Sequence, residues 1–265
     1  MFSRDSTFWH SAVFPQGVLL ARSSPPRESG IGSFRRARSG RICRLVNKAG
    51  PTRSGQARLD FAGKRGGRPS PSQPDISARL IGLAQEGKRV LRLKGGDPCV
   101  FGRGGEEALA LAAAGVPFRI VPGITAGIGG LAYAGIPLTH RDTNSAVTFL
   151  TGHDSDGAVP GGLDWQAIAR GAPVLVLYMA ARHLPSIAER LMSGGRRPDE
   201  PVAVISKATT AAQRVVVSTL SEVVAAATGI ETPSIVVVGE VVRFHKALDW
   251  GRRPRRPPGL VPTAD

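Results

Sequence analysis

One carboxylate and one guanidinium, Asp97 and Arg103, sit between two glycine clusters in the run VLRLKGGDPCVFGRGGEE at residues 90–107. Gly95 and Gly96 precede the acid, and Gly102, Gly104 and Gly105 surround the arginine. Glycine lets a backbone come close to a bound group, so the pattern fits a ligand site. The plainer alternative is a β-turn followed by a capped helix. A second chemical candidate is His153, in the glycine-bounded polar loop TGHDSDG at residues 151–157. The other histidines, His10, His140, His183 and His245, are scattered without HxxxH or carboxylate spacing and give a metal site no support. There is no GxxxxGK[ST] phosphate loop and no GxSxG, which argues against ATPases, GTPases and the commonest serine hydrolases.

These residues need strands that end where they begin. The β-branched and leucine-rich run at 90–93 stops at the glycine pair, which places Asp97 at the carboxyl end of a strand, the rim where ligands bind in open α/β sheets. An alanine-rich helix over 105–114 follows, then a strand at 118–121. Upstream, a helix over 74–85 presents Ile76, Leu80, Leu83 and Ala84 on one face and stops at Gly87. The segment 124–140, ITAGIGGLAYAGIPLTH, reads as a helix of small residues pressed against either a ligand or a neighbouring strand. Its Gly127, Gly129 and Gly130 match a dinucleotide fingerprint only superficially, lacking the preceding strand-turn and the later acid. After a polar connection at 141–145, strands are expected at 146–150, 173–179, 201–206, 214–219 and 234–238, alternating with helices near 164–169, 182–192 and 221–227. Alternation in two stretches predicts two α/β domains, 57–140 and 146–250.

The net charge of +15 resembles that of a nucleic-acid binder until it is located. Residues 1–68 hold 14 basic and 3 acidic side chains, and Arg252, Arg253, Arg255 and Arg256 add more near the end. Residues 69–251 hold 17 basic and 16 acidic side chains, so the body is nearly neutral and offers nucleic acid no broad attraction. The 5% aromatic content gives little for base stacking. Residues 1–56 are rich in Arg, Ser, Gly and Pro with no sustained period, and predict a disordered basic segment; 251–265 predicts a disordered tail. Cys43 and Cys99 give neither a disulfide framework nor a CxxC knuckle, consistent with a reducing, cytoplasmic setting. No apolar run reaches the roughly 18 residues of a membrane span.

Taken together, LKGGDPCVFGRGGEE, VPGITAGIGGLAYAGIPLTHR, TGHDSDG, VLVLYMA, ISKATTAAQRV and PSIVVVGEVV resemble the S-adenosylmethionine-dependent uroporphyrinogen-III C-methyltransferases of the tetrapyrrole methylase superfamily. The resemblance runs in order over about 57–250. It implies a two-domain α/β fold with parallel or mixed sheets and flanking helices, a homodimer, and S-adenosyl-L-methionine as methyl donor in a cleft between the domains. It implies methylation of two pyrrole carbons of uroporphyrinogen III to give precorrin-2 for siroheme or cobalamin, with no metal. By matching position, Gly95, Gly96, Asp97, Val100, Thr125, Ala126, Met179 and Ala208 are the implied donor contacts. Arg103, Glu106, His153 and Met179 are the residues implied to face the macrocycle, with Arg103 as the implied catalytic residue. By its chemistry an arginine suits clamping a substrate carboxylate better than taking a proton, since its solution pKa lies above about 12. Arg141 and Lys207 are weaker candidates for the same clamping.

One departure stands out. The family opens with a hydrophobic strand and a loop of the form GxGPGDPxxLT before the segment matched here by Gly63, Lys64 and Arg65, and residues 1–56 hold nothing like it. The expectation is therefore a first domain lacking its first strand, from a frameshifted or wrongly assigned start. Two further readings follow, an inert fragment that keeps the fold and a nucleic-acid binder acting through the basic arm.

Overall fold

The computed structural model describes residues 72–154 and 156–250, together with the backbone of three strands that lie earlier in the chain. The expected tail at 251–265, the loop at 64–71 and most of 1–56 lie outside the described residues. The chain divides into two compact units, Met1–Thr125 and Ala126–Asp265. The division falls before the polar stretch 141–145, because the small-residue segment that follows Thr125 packs on the second sheet.

The first unit is built on a mixed sheet of β1 (Gly17–Ala21), β2 (Ile42–Val46), β3 (Arg58–Phe61), β4 (Arg89–Lys94) and β5 (Phe118–Val121), in the order β3-β2-β4-β1-β5. β2 runs parallel to β3 and β4, whereas β1 is antiparallel to both β4 and β5. β4 and β5 therefore point the same way and end on one rim. Two of the five strands are drawn from residues 1–56, where composition predicts no folded unit. GVLLA, and ICRLV with its single Arg44, are runs too short to show a period, yet long enough to pair along both sides of β4.

Helix α1 (Gln73–Gln85) starts with a reciprocal cap, in which Asp75 N–H donates to Ser72 Oγ and Ser72 N–H donates to the Asp75 carboxylate at 2.9 Å. Its expected face, Ile76, Leu80, Leu83 and Ala84, is buried with Val90, Val116 and, from α2 (Gly104–Ala113), Ala108 and Leu111. Each fully buried leucine there stabilises the unit by roughly 1.5–3 kcal/mol.

The second unit holds β6 (Thr148–Thr151), β7 (Leu175–Tyr178), β8 (Pro201–Ser206), β9 (Arg214–Thr219) and β10 (Ser234–Val238), ordered β6-β7-β10-β8-β9. β7 and β8 are buried along their whole length and β10 along nearly all of it, as their unbroken apolar sequences require. β6 is parallel to β7, and β10 is antiparallel to both β7 and β8, so β6, β7 and β8 end on one edge. Helix α4 (Trp165–Gly171), capped by Asp164, and helix α5 (Leu184–Ser193) bury Trp165, Leu184, Ile187 and Leu191 in the core of this unit.

Helix α3 (Ala126–Tyr133) settles which partner its glycines serve: Gly127 N–H donates to Tyr178 Oη at 2.7 Å, and a side chain on Gly127 would run into that hydroxyl. A Cβ on Gly130 would lie 3.1 Å from Ala208 Cβ. The small residues admit the unit's own sheet and the loop after β8. The far end of α3 is closed by a distant stretch: Trp250 Nε1 donates to Ala132 O at 3.0 Å, His245 Nδ1 meets Ala134 O, and Gly135 lies under Leu248 O.

Candidate active site

In the first unit, the rim beyond β4 is a compact double turn. Gly96 takes φ 71°, a left-handed conformation natural to glycine. Asp97 then acts as a brace: its Oδ1 accepts from Cys99 N–H at 2.8 Å and its Oδ2 accepts from Gly123 N–H at 3.0 Å, tying the end of β4 to the segment after β5. Gly104 N–H donates to Pro98 O at 2.7 Å, folding the second glycine cluster onto the first. A Cβ would meet Pro98 O at 2.7 Å on Gly102 and at 2.5 Å on Gly104, whereas on Gly95 or Gly105 it would meet nothing within 4 Å. The two packed glycines are required by the chain itself, and Gly95 is not. Truncating the brace as Asp97→Ala is expected to cost about 1–3 kcal/mol, read as a lower midpoint in urea, because two backbone donors lose their acceptor.

Arg103 caps α2 in the left-handed region with φ 61°, and its side chain turns back on Glu106. The fork is bidentate, Nε to Oε1 at 3.0 Å and the terminal nitrogen to Oε2 at 2.7 Å, on side chains 57% and 54% exposed. Hydrogen bonding to Glu106 holds Arg103 above its ordinary pKa, and the same bond holds Glu106 below the usual carboxylate value. A guanidinium held more firmly protonated offers less neutral form to take up a proton, and its fork already grips the Glu106 carboxylate. Val100 lies half-buried in the same loop, and Thr125 is buried beyond Gly123.

Behind the turn lies a cluster that strand alternation conceals. Val90, Arg92 and Lys94 share the buried face of β4, leaving Leu91 and Leu93 half-exposed. Glu107, fully buried in α2, accepts at a single oxygen, Oε1, from Arg92 Nε at 3.1 Å, Lys94 Nζ at 2.9 Å and Gln73 Nε2 at 3.0 Å. Two cations two positions apart on a strand, with a pair of glutamates opening the next helix, are the signal that could have revealed it.

In the second unit, the expected residues gather on the shared edge of β6, β7 and β8. Gly152 N–H donates to Tyr178 O at 2.6 Å, and Gly152 lies too close to Ala180 for any side chain, so the loops bearing His153 and Met179 adjoin. Thr151 Oγ1 donates to His153 O at 2.8 Å, while His153 Nδ1 is buried with no hydrogen-bond partner among the described residues. Met179 has φ 54° and is 43% exposed. After β8, Lys207 takes φ 43° and pairs with Glu231, and Ala208 is buried. Ala126 opens α3, and Arg141 sits in the turn before β6, away from this edge.

Among the described residues, the non-glycine positions with positive φ are Phe101, Arg103, Met179, Lys207 and Thr209. All five lie in these strand-end loops. Backbone strain of this kind costs about 1–3 kcal/mol per residue and concentrates where ligands are handled.

The family description Tetrapyrrole (Corrin/Porphyrin) Methylases matches residues 37–224. The chain belongs to this family. A uroporphyrinogen-III C-methyltransferase of Sinorhizobium sp is 66% identical over 194 residues, covering 72% of this chain and 69% of that protein. Siroheme synthase 1 of Yersinia pseudotuberculosis is 47% identical over 205 residues, 76% of this chain but 42% of that longer protein. Among solved structures, the uroporphyrin-III C-methyl transferase from Thermus thermophilus complexed with S-adenyl homocysteine is 33% identical, with a TM-score of 0.63 over 77% of this chain and 87% of that one. A cobalt precorrin-4 methyltransferase, 22% identical with a TM-score of 0.64, shares the fold. The expected α/β methylase fold of this family is thus established. No helix among the described residues is long and apolar enough to cross a membrane.

Proposed function

We propose that this tetrapyrrole methylase transfers methyl groups from S-adenosyl-L-methionine to two pyrrole carbons of uroporphyrinogen III, giving precorrin-2 for siroheme or cobalamin. The observation that carries the reading is the 66% identity to a uroporphyrinogen-III C-methyltransferase over most of both chains. The residues present fit the donor. Gly95 is held open by no steric need of the protein, and Met179 keeps an exposed apolar side chain on a strained backbone. The sulfonium donor supplies an already activated methyl group.

What the chain does is bind, align and exclude water. Gly95, Gly96, Asp97, Val100, Thr125, Ala126, Met179 and Ala208 are the proposed donor contacts, with the glycine turn offering backbone close to the ligand. Arg103, Glu106, His153 and Met179 face the macrocycle. Arg103 clamps a substrate carboxylate, a role that its planar fork, closed on the Glu106 carboxylate in this structure, favours over that of base. His153 exchanges a hydrogen bond with the macrocycle, a reading supported by its buried Nδ1, which has no partner among the described residues. The same reading carries a homodimer and a cytoplasmic location. The test is an anaerobic assay with uroporphyrinogen III and S-adenosyl-L-methionine. Dimethylated product is expected, and its absence from a folded preparation that binds S-adenosylhomocysteine would favour the inert reading.

A further inference from the structure

The buried cluster beneath the glycine turn is unusual in composition. Arg92, Lys94 and Glu107 side chains are 3%, 5% and 0% exposed, so two cations and one carboxylate are removed from water together. The carboxylate is also used unevenly. All three donors converge on Oε1, while Oε2 is buried with no partner among the described residues. Burial pushes Lys94 below the usual lysine pKa, against the opposing pull of Glu107. Stability alone is a poor reason to keep such a group, since buried ion clusters are often matched or exceeded by apolar residues of similar volume.

Its location supplies a better reason. Lys94 ends β4 and is followed directly by Gly95; Glu107 lies in the first turn of α2, just beyond Arg103 and Gly104. The Lys94–Glu107 contact thus closes the base of the loop holding the glycine pair, Asp97 and Arg103, and Gln73 fastens the same oxygen to α1. A directional, charge-assisted contact fixes distance and angle in a way that apolar packing does not.

We propose that Glu107, acting with Lys94 and Arg92, is a positioning residue for the donor-binding turn, setting the spacing between the end of β4 and the start of α2. The inference rests on the proposed methyl-transfer reading and goes beyond it by assigning residues that touch neither ligand.

The test compares the parent, Glu107→Gln, and the triple variant Arg92→Leu/Lys94→Met/Glu107→Leu. Thermal midpoint, S-adenosylhomocysteine affinity by calorimetry well below that midpoint, and kcat and KM for uroporphyrinogen III are measured on each. Glu107→Gln is expected to lower the midpoint, because Lys94 and Arg92 lose a buried carboxylate that both contact. The triple variant is expected to recover part of the midpoint lost by Glu107→Gln while binding S-adenosylhomocysteine about tenfold more weakly and turning over about tenfold more slowly than the parent. Part of the stability returns and the affinity does not. A triple variant equal to the parent in affinity and kcat overturns the proposal, as does one whose losses only track its unfolded fraction. If the parent itself does not bind S-adenosylhomocysteine, the reading of function fails first, and the inference falls with it.

Discussion

Gly104→Ala is expected to lose about 2–3 kcal/mol of stability and nearly all methyl transfer. The added methyl would stand 2.5 Å from Pro98 O and 2.7 Å from Pro98 Cβ, and neither can swing aside, because the same carbonyl accepts the Gly104 N–H. Overpacking against fixed backbone forces the turn itself to move, and costs of this order are usual. The neighbouring positions serve as controls. Gly105→Ala meets nothing within 4 Å and sits inside the first turn of α2, so it is expected to be neutral or to stabilise by about 0.5–1 kcal/mol. Gly95→Ala also meets nothing within 4 Å, so it should fold normally while weakening S-adenosylhomocysteine by tenfold or more. Urea denaturation and calorimetry of the three variants check the set. Equal stability of Gly104→Ala and Gly105→Ala would contradict the packed double turn.

Arg103→Gly is expected to uncouple activity from stability in the opposite sense. The left-handed backbone at φ 61° costs a non-glycine residue about 1–2 kcal/mol, which glycine relieves at an entropic cost of about 0.5–1 kcal/mol. The exposed pair with Glu106 contributes little in water. The midpoint should therefore be no lower than that of the parent. Losing a bidentate grip on a substrate carboxylate is expected to reduce kcat/KM about a hundredfold, the equivalent of about 2.7 kcal/mol. Arg103→Lys discriminates between roles. A clamp loses its fork and falls about tenfold, whereas a base gains from the lower pKa of lysine and keeps its rate. Steady-state kinetics on both variants, with thermal denaturation alongside, decides.

Much of the site could be read from residues because its chemistry is local. GGDP after an apolar run is a strand end and a turn in any context, and the structure ends β4 at Lys94, directly before that turn. What escaped is what depends on partners distant in sequence. VLRLK alternates as if its charged face met water; the structure inverts it, and sets Glu107 of α2, itself held by Gln73 of α1, beside the buried cations. The glycines of α3 left ligand and strand equally open, since small residues record a close approach without recording to what. GVLLA and ICRLV gave no period, and their place in the sheet comes from pairing with β4, which no local pattern encodes. Asp97 was expected to touch the donor, and its carboxylate also carries the brace to Gly123, a partner visible only once β5 is in place.

The closure of α3 has a consequence for the order in which the second unit is assembled. The carbonyl of Ala134 meets a group 111 positions further along the chain, and Trp250, 118 positions on, adds a second donor to Ala132 O beside the local Gly135 N–H. During synthesis those groups emerge after every strand of the unit, so the carboxyl end of the glycine-rich helix first closes on its own local backbone bonds and gains the distant contacts last. Closing so long a span is entropically costly and slow, which makes this lock a late event in maturation.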